Sequence, residues 1–173
     1  MVAPTLFGYT EEARRANRPV TIGTPSTPRR KWDRDSFFAD AKKKLTEAQA
    51  QSIKNLYDES VALGFEITWG TGANNGSFNV KEPSICPRSL LTVWSNGNLQ
   101  INFGWLNGTE EAEHGRERLR DLLVQRGFSI PDEYLSKYVQ YPASDWMSKI
   151  TQLIEALRTL ISDVREKAAT AND

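Results

Sequence analysis

Apolar and polar side chains alternate along residues 65–105 with the two-residue period that is typical of half-buried β-strands. The strand-like runs cover roughly 65–69, 76–80 and 90–105, and clusters of Gly and Asn separate them. This spacing predicts an antiparallel sheet of three to four strands within about 65–105.

The pair Asn96-Gly97 predicts where the last part of this sheet reverses direction. A two-residue type I′ loop needs positive φ at both central positions, and Asn and Gly tolerate that conformation best. Counting outward from such a loop pairs Trp94 with Leu99. We expect one face to form the core and the other to face water. The expected core face carries Leu90, Thr92, Trp94, Leu99, Ile101, Phe103 and Trp105. The expected wet face carries Leu91, Val93, Ser95, Asn98, Gln100, Asn102 and Gly104.

Two helices are predicted before the sheet. Asp33 is a suitable N-cap for a helix that runs to Lys44. Thr46 and Gln49 have the spacing of a capping box, and the helix that they begin should end before Gly64.

Two further helices are predicted after the sheet. Thr109 should cap one that ends at Gly127, and Ser144 should cap one whose apolar stripe extends to Val164.

The order of elements predicts an α+β domain over residues 32–168, with an antiparallel sheet flanked by two N-terminal and two C-terminal helices. Residues 1–31 are predicted to be a tail and linker, because 19–31 contain three prolines and four Ser or Thr. Residues 169–173 are predicted to be a disordered tail.

The composition argues against several classes of protein. Cys86 is the only cysteine and His114 the only histidine, so one chain can form neither an internal disulfide nor a Cys/His zinc site. No apolar run approaches the roughly 20 residues that span a bilayer, and no signal-peptide core is visible. We therefore expect a cytoplasmic protein that uses no metal and no cofactor.

No convincing catalytic constellation is present, which favours a noncatalytic role but leaves an enzyme open. A metal-dependent nuclease needs carboxylates that converge on a metal. Glu66, Lys81 and Glu82 are the strand-associated candidates, and no Asp or Glu lies between Pro83 and Gly108.

The glycine-rich segment after the first strand is the best candidate for a ligand-contacting loop. Gly70-Thr71-Gly72 allows close backbone approach to an anion, and Trp69 lies directly before it, where an indole can stack on a base. The alternative for the loop is a flexible hairpin connection without a ligand, and the alternative for Trp69 is a side chain that fills the core. The predicted ligand-binding residues are Trp69, Gly70, Gly72, Asn74, Asn75, Ser77, Gln100 and Asn102.

The formal net charge is zero, but basic residues are concentrated near the N-terminus. These residues are either phosphate contacts or a solvated linker and helix face. The predicted phosphate contacts are Arg29, Arg30, Lys31, Lys42 and Lys43.

Three motifs are distinctive as a set: Trp32-Asp33-Arg34-Asp35-Ser36-Phe37-Phe38, Trp69-Gly70-Thr71-Gly72 with Gly76-Ser77-Phe78, and Trp94-Ser95-Asn96-Gly97 with Ile101-Asn102-Phe103-Gly104-Trp105. Together they resemble a bacterial domain found in the C-terminal part of proteins whose N-terminal part is similar to PD-(D/E)XK nucleases. The resemblance covers about residues 32–165. It implies an accessory or recognition role, associated with nucleic acid or with a nuclease-like partner domain in DNA processing or defence. The alternative is a protein-interaction or oligomerisation domain, and the oligomeric state stays open.

Overall fold

A computed structural model describes residues 28–170. Most of the predicted N-terminal tail, residues 1–27, and the last three residues lie outside the described part. The main sheet has five antiparallel strands in the order β2-β4-β5-β6-β7. These strands are β2 (Glu66–Trp69), β4 (Ser77–Glu82), β5 (Cys86–Trp94), β6 (Leu99–Ile101) and β7 (Val139–Tyr141). A separate two-stranded sheet joins β1 (Arg30–Lys31) to β3 (Thr71–Gly72).

In the part of the chain from residue 28 to residue 170, four helices of at least eleven residues and one single-turn helix accompany the sheets. The 3-10 turns 103–105 and 147–149 lie directly after β6 and between the last two helices. The helices are α1 (Arg34–Lys44), α2 (Glu47–Ala62), α3 (Glu110–Gln125), the single-turn α4 (Ala143–Trp146) and α5 (Ile150–Thr170). Within the described residues, no helix is both long and apolar enough to cross a membrane.

The first three predicted helix starts are confirmed. Asp33 caps α1, Thr46 caps α2 in a capping box with Gln49, and Thr109 caps α3. Each cap accepts a backbone N–H that has no partner inside the helix. The fourth start is wrong, because the helix begins at Ala143 behind Pro142 and passes through a 3-10 turn before α5.

The α+β class is confirmed, whereas the predicted number and placement of elements are only partly right. The sheet has five strands instead of three or four, and the fifth, β7, lies beyond α3. One helix is therefore inserted between two strands of the same sheet. A strand of three residues, Val-Gln-Tyr, is too short for its periodicity to identify it in the sequence.

The hairpin register predicted from Asn96-Gly97 is wrong by one residue. Leu99 pairs with Val93 instead of Trp94, and the loop contains three residues. Within this loop only Gly97 has positive φ, and its N–H donates to the Trp94 carbonyl oxygen at 2.9 Å. A type I turn followed by a glycine in the left-handed region gives this geometry.

This shift moves Leu91, Thr92, Val93 and Trp94 of β5 to the face opposite the predicted one, because side chains alternate along a strand. The side chains of β6 keep their predicted faces. The face that contacts the helices is apolar in two complete rows across the sheet, and its residues join the buried side chains of all four long helices in one core. The two rows are Trp69, Phe78, Val93, Leu99 and Tyr141, and Ile67, Val80, Leu91, Ile101 and Val139.

Candidate functional site

The opposite face of the sheet carries one polar residue from every strand in a single row. Thr68, Asn79, Thr92, Gln100 and Gln140 are in register across β2, β4, β5, β6 and β7. Thr92 Oγ1 donates to Asn79 Oδ1 at 2.7 Å, and Gln140 Nε2 donates to Gln100 Oε1 at 2.6 Å. We call this side the polar face.

Asn102 joins this row into a buried network. Its Nδ2 donates to Ser89 Oγ at 2.9 Å and to Thr92 Oγ1 at 3.0 Å, while its Oδ1 accepts from Gln100 Nε2 at 2.7 Å. The expectation that Gln100 and Asn102 face water is wrong, because they are 5% and 3% exposed. Buried amides need such partners, since an unpaired one costs about 1–3 kcal/mol. The network therefore fixes the floor of the polar face.

Long-range hydrogen bonds hold the glycine-rich loop that follows β2. The Gly70 N–H donates to the Ser77 carbonyl oxygen, and the Gly70 carbonyl oxygen accepts from the Trp32 N–H. The Trp32 indole N–H donates to the Gly72 carbonyl oxygen at 3.0 Å. These groups are occupied within the fold, so an anion has to be bound here by side chains rather than by the Gly70 amide.

The predicted phosphate contacts and the glycine-rich loop lie at the same end of the sheet. Arg30 and Lys31 pair with Gly72 and Thr71 through the β1–β3 ladder. Lys44, the last residue of α1, donates to the Asn75 side-chain oxygen at 2.9 Å. We call this region, residues 29–31, 42–44 and 70–76, the basic end.

Asp40 and Ser95 fix Lys44 at the basic end. Asp40 Oδ2 accepts from Lys44 Nζ at 2.7 Å and from Ser95 Oγ at 2.6 Å. Burial disfavours ionisation of Asp40, but these two hydrogen bonds outweigh that effect, so the pKa of Asp40 lies below its ordinary value. The carboxylate stays charged at neutral pH and anchors α1 to the hairpin loop.

The remaining cations of the basic end face solvent. Within the described residues, ion pairs engage Arg34 with Asp35 and Lys44 with Asp40. Five exposed cationic side chains of the basic end take part in none of the described ion pairs: those of Arg29, Arg30, Lys31, Lys42 and Lys43. The Arg30 guanidinium stacks over the Trp32 ring, 3.7 Å from its centroid. Among residues 28–44, seven are basic and three are acidic. The segment that forms β1 and α1 therefore carries an excess of positive charge, and Arg30, Lys31 and Lys44 bring part of it to the glycine-rich loop.

Trp69 belongs to an aromatic cluster on the core side of the sheet rather than to the polar face. Its ring lies 5.7 Å from Tyr57 and 5.8 Å from Phe78, between centroids, and is half-buried. The structure favours the core interpretation of Trp69. Trp94, which the sequence placed in the core, pairs with Ser77 and so shares the polar face instead. A correct hairpin register would have identified it.

The candidate catalytic residues do not converge. Glu66 lies opposite Lys81 on the β2 edge, Cys86 is buried, and His114 is exposed on α3. Within the part of the chain that the structure describes, no group of three or more His, Cys, Asp or Glu side chains is arranged to hold a metal ion.

Comparison of the chain with models of known protein families, with curated proteins and with solved structures finds no match in any of the three. The resemblance to an accessory domain of nuclease-like proteins stays a prediction from the sequence motifs. The polar face and the basic end are the two features of the structure that point to a function.

Proposed function

We propose that this domain is a noncatalytic recognition module that binds nucleic acid through the basic end and the adjoining polar face. The observation that carries this proposal is that two separate basic segments, 29–31 and 42–44, meet at one loop. Lys and Arg side chains supply the phosphate contacts that position a protein on nucleic acid. The polar face begins at the same loop, because Ser77 and Trp94 pair directly beside it.

Salt dependence provides the test of this proposal. Each phosphate that a cation neutralises releases counterions, so the logarithm of affinity falls with the logarithm of salt by about 0.9 per contact on duplex DNA and about 0.7 on single strands. We expect labelled oligonucleotides to bind in an anisotropy titration with a clear salt slope. The double variant Lys42→Ala/Lys43→Ala should weaken binding and reduce that slope by about 1.4 on single strands and about 1.8 on duplex DNA.

A matched control removes the same charge elsewhere. Arg158 and Lys167 both lie on α5, where Arg158 pairs with Glu59 of α2 and Lys167 lies beside His114 and Arg118 of α3. The variant Arg158→Ala/Lys167→Ala should bind as the unmodified protein does. Equal loss in both double variants would mean that only the overall charge matters, and the basic end would lose its assigned role.

The alternative proposal is a protein-interaction domain that uses an edge strand. Within the described residues, β2 and β7 each pair with a single neighbour in the main sheet, so both offer an edge for strand addition. The last helix is a weaker candidate, because Leu153, Leu157 and Leu160 are already buried in the core. A stable dimer in sedimentation together with no oligonucleotide binding would favour this alternative.

A further inference from the structure

A groove opens on the polar face beside the β6–β7 pair, at the opposite end of β5 from the basic end. Its volume is about 210 Å³, and its floor includes Gln100 and Asn102. Three of the five large apolar side chains that are exposed in the described part line it: Trp105, Leu135 and Tyr138. A polar floor with an aromatic rim suits a flat ligand that has a polar edge.

The outer wall of this groove consists of residues 135–138, and residues behind it hold it in place. The Tyr134 hydroxyl donates to Glu117 at 2.8 Å, and the Tyr134 ring packs edge-on against the buried ring of Phe103. Burial and the bond to Glu117 raise the pKa of Tyr134, so the hydroxyl keeps its proton at neutral pH. A Cβ on Gly104 would lie 2.9 Å from the Leu135 carbonyl oxygen, so wall and floor are in close contact. The groove is thus formed without a ligand.

The groove has limited hydrogen-bonding capacity left. Both N–H groups of the Asn102 amide are used, toward Ser89 and Thr92. The Gln100 amide has two N–H groups and donates to Asn102, which leaves one further donor. The volume lies below the about 300–1,000 Å³ of pockets for drug-sized ligands, which favours a single ring system over a larger molecule.

We infer that this groove binds one unstacked base of a single-stranded nucleic acid, with the base against Trp105 and Tyr138 and its polar edge toward Gln100. This inference rests on the proposed function, and it specifies single strands because the bases of a duplex stay paired and stacked. The Asn102 N–H donates to the Leu90 carbonyl oxygen, and Trp94 lies four residues further along β5, roughly 13 Å away at the usual rise of about 3.3 Å per residue. A strand whose phosphates contact the basic end can therefore cross the polar face to the groove.

Tyr138→Ala is the most direct variant, because the side chain is 73% exposed and its loss should not disturb the core. We expect the affinity for a labelled oligothymidylate to fall about 5- to 150-fold, which corresponds to one stacked base. Affinity for a duplex should stay unchanged. Val124→Ala, which truncates an exposed side chain on α3, is the matched control and should change neither affinity.

A second pair of variants keeps the test independent of folding. Trp105→Phe retains a ring for stacking, whereas Trp105→Ala removes it, so single-strand affinity should be largely kept in the first and lost in the second. Circular dichroism checks that both are folded.

Four outcomes decide the inference. Selective loss of single-strand binding in Tyr138→Ala supports it. Salt-sensitive binding of single strands and duplex that Tyr138→Ala leaves unaltered overturns it and leaves the proposed function intact. Absence of any oligonucleotide binding by the unmodified protein overturns both. Self-association of the unmodified protein in sedimentation that Tyr138→Ala abolishes, with oligothymidylate affinity kept, overturns it by making the groove a protein contact.

Discussion

The two faces of the five-stranded sheet are built on opposite principles. The helix-covered face is apolar in every cross-strand position of two rows, whereas the other face carries a polar side chain from all five strands in the row between them. Burial of apolar area stabilises the first face and needs no particular orientation of its groups. The second face depends on directed hydrogen bonds, which leave its amides and aromatic rings in fixed positions. Stability therefore resides mainly in the first face, and recognition by the second face is our proposal.

The largest expected effect comes from truncating the core face. Phe78 is fully buried and packs against Phe37, Tyr57 and Trp69. Phe78→Ala should lower the free energy of unfolding by about 3–5 kcal/mol, because it leaves a cavity among rings that cannot collapse around it. Urea denaturation measures this loss. Ser77→Ala, one residue away on the polar face, should cost far less, and a similar loss in both would contradict the division between the faces.

A smaller loss is expected from the centre of the polar network. Asn102→Ala removes three hydrogen bonds and leaves Gln100, Ser89 and Thr92 with fewer partners in a buried position. We expect a destabilisation of about 1–3 kcal/mol in urea denaturation. Asn55→Ala, on the exposed surface of α2, is the control and should stay within about 0.5 kcal/mol of the unmodified protein. If Asn102→Ala is as stable as this control, the network does not hold the floor of the polar face.

The smallest expected effect concerns the Asp40 carboxylate, which joins α1 to the hairpin loop through Ser95. Because the pKa of Asp40 is lowered in the folded protein, its contribution to stability is present above the unfolded value of about 3.9 and is lost as pH falls through the folded value. Asp40→Asn should therefore flatten the loss of stability below about pH 4. Part of the acid dependence should remain, since Asp33 and Glu117 also have lowered pKa values.

Thermal unfolding at several pH values measures this dependence. Asp132→Asn, at an exposed position in the segment before β7, serves as the control. An unchanged pH profile in Asp40→Asn would mean that the carboxylate does not stabilise the basic end.

Local sequence signals predicted the helices well and the sheet less well. Asp33, Thr46 and Thr109 cap their helices through backbone groups two or three residues away, so neighbouring sequence is sufficient to identify them. The register at Gly97 depends instead on distant residues. The Gly97 carbonyl oxygen accepts from the Trp146 indole N–H at 2.8 Å, and a Cβ on Gly97 would lie 2.8 Å from the Ala143 Cβ.

The candidate site was predicted only in part, because its residues too are brought together by the hairpin register and not by local sequence. Gln100 and Asn102 were identified as polar sheet residues, yet the wrong register placed them with Leu91 and Val93 instead of with Thr92. No sequence pattern indicates that Tyr138 belongs to the candidate site, because it lies next to a three-residue strand and far from the hairpin in sequence. Short strands and three-residue loops are settled by packing, so a single sequence carries little signal for them.

Backbone and side-chain NMR shift mapping with an unlabelled oligothymidylate distinguishes recognition by the polar face from recognition elsewhere, because it reports both faces of the sheet at once. We expect the shifts to concentrate on the polar face and the basic end: the amides of 70–76, the side-chain amides of Gln100 and Asn102, and the indole N–H groups of Trp94 and Trp105. The core-side indole of Trp69 and the amides of α2 and α5 should move little. Shifts confined to those helices, or none at saturating oligonucleotide, would contradict the assignment of recognition to the polar face.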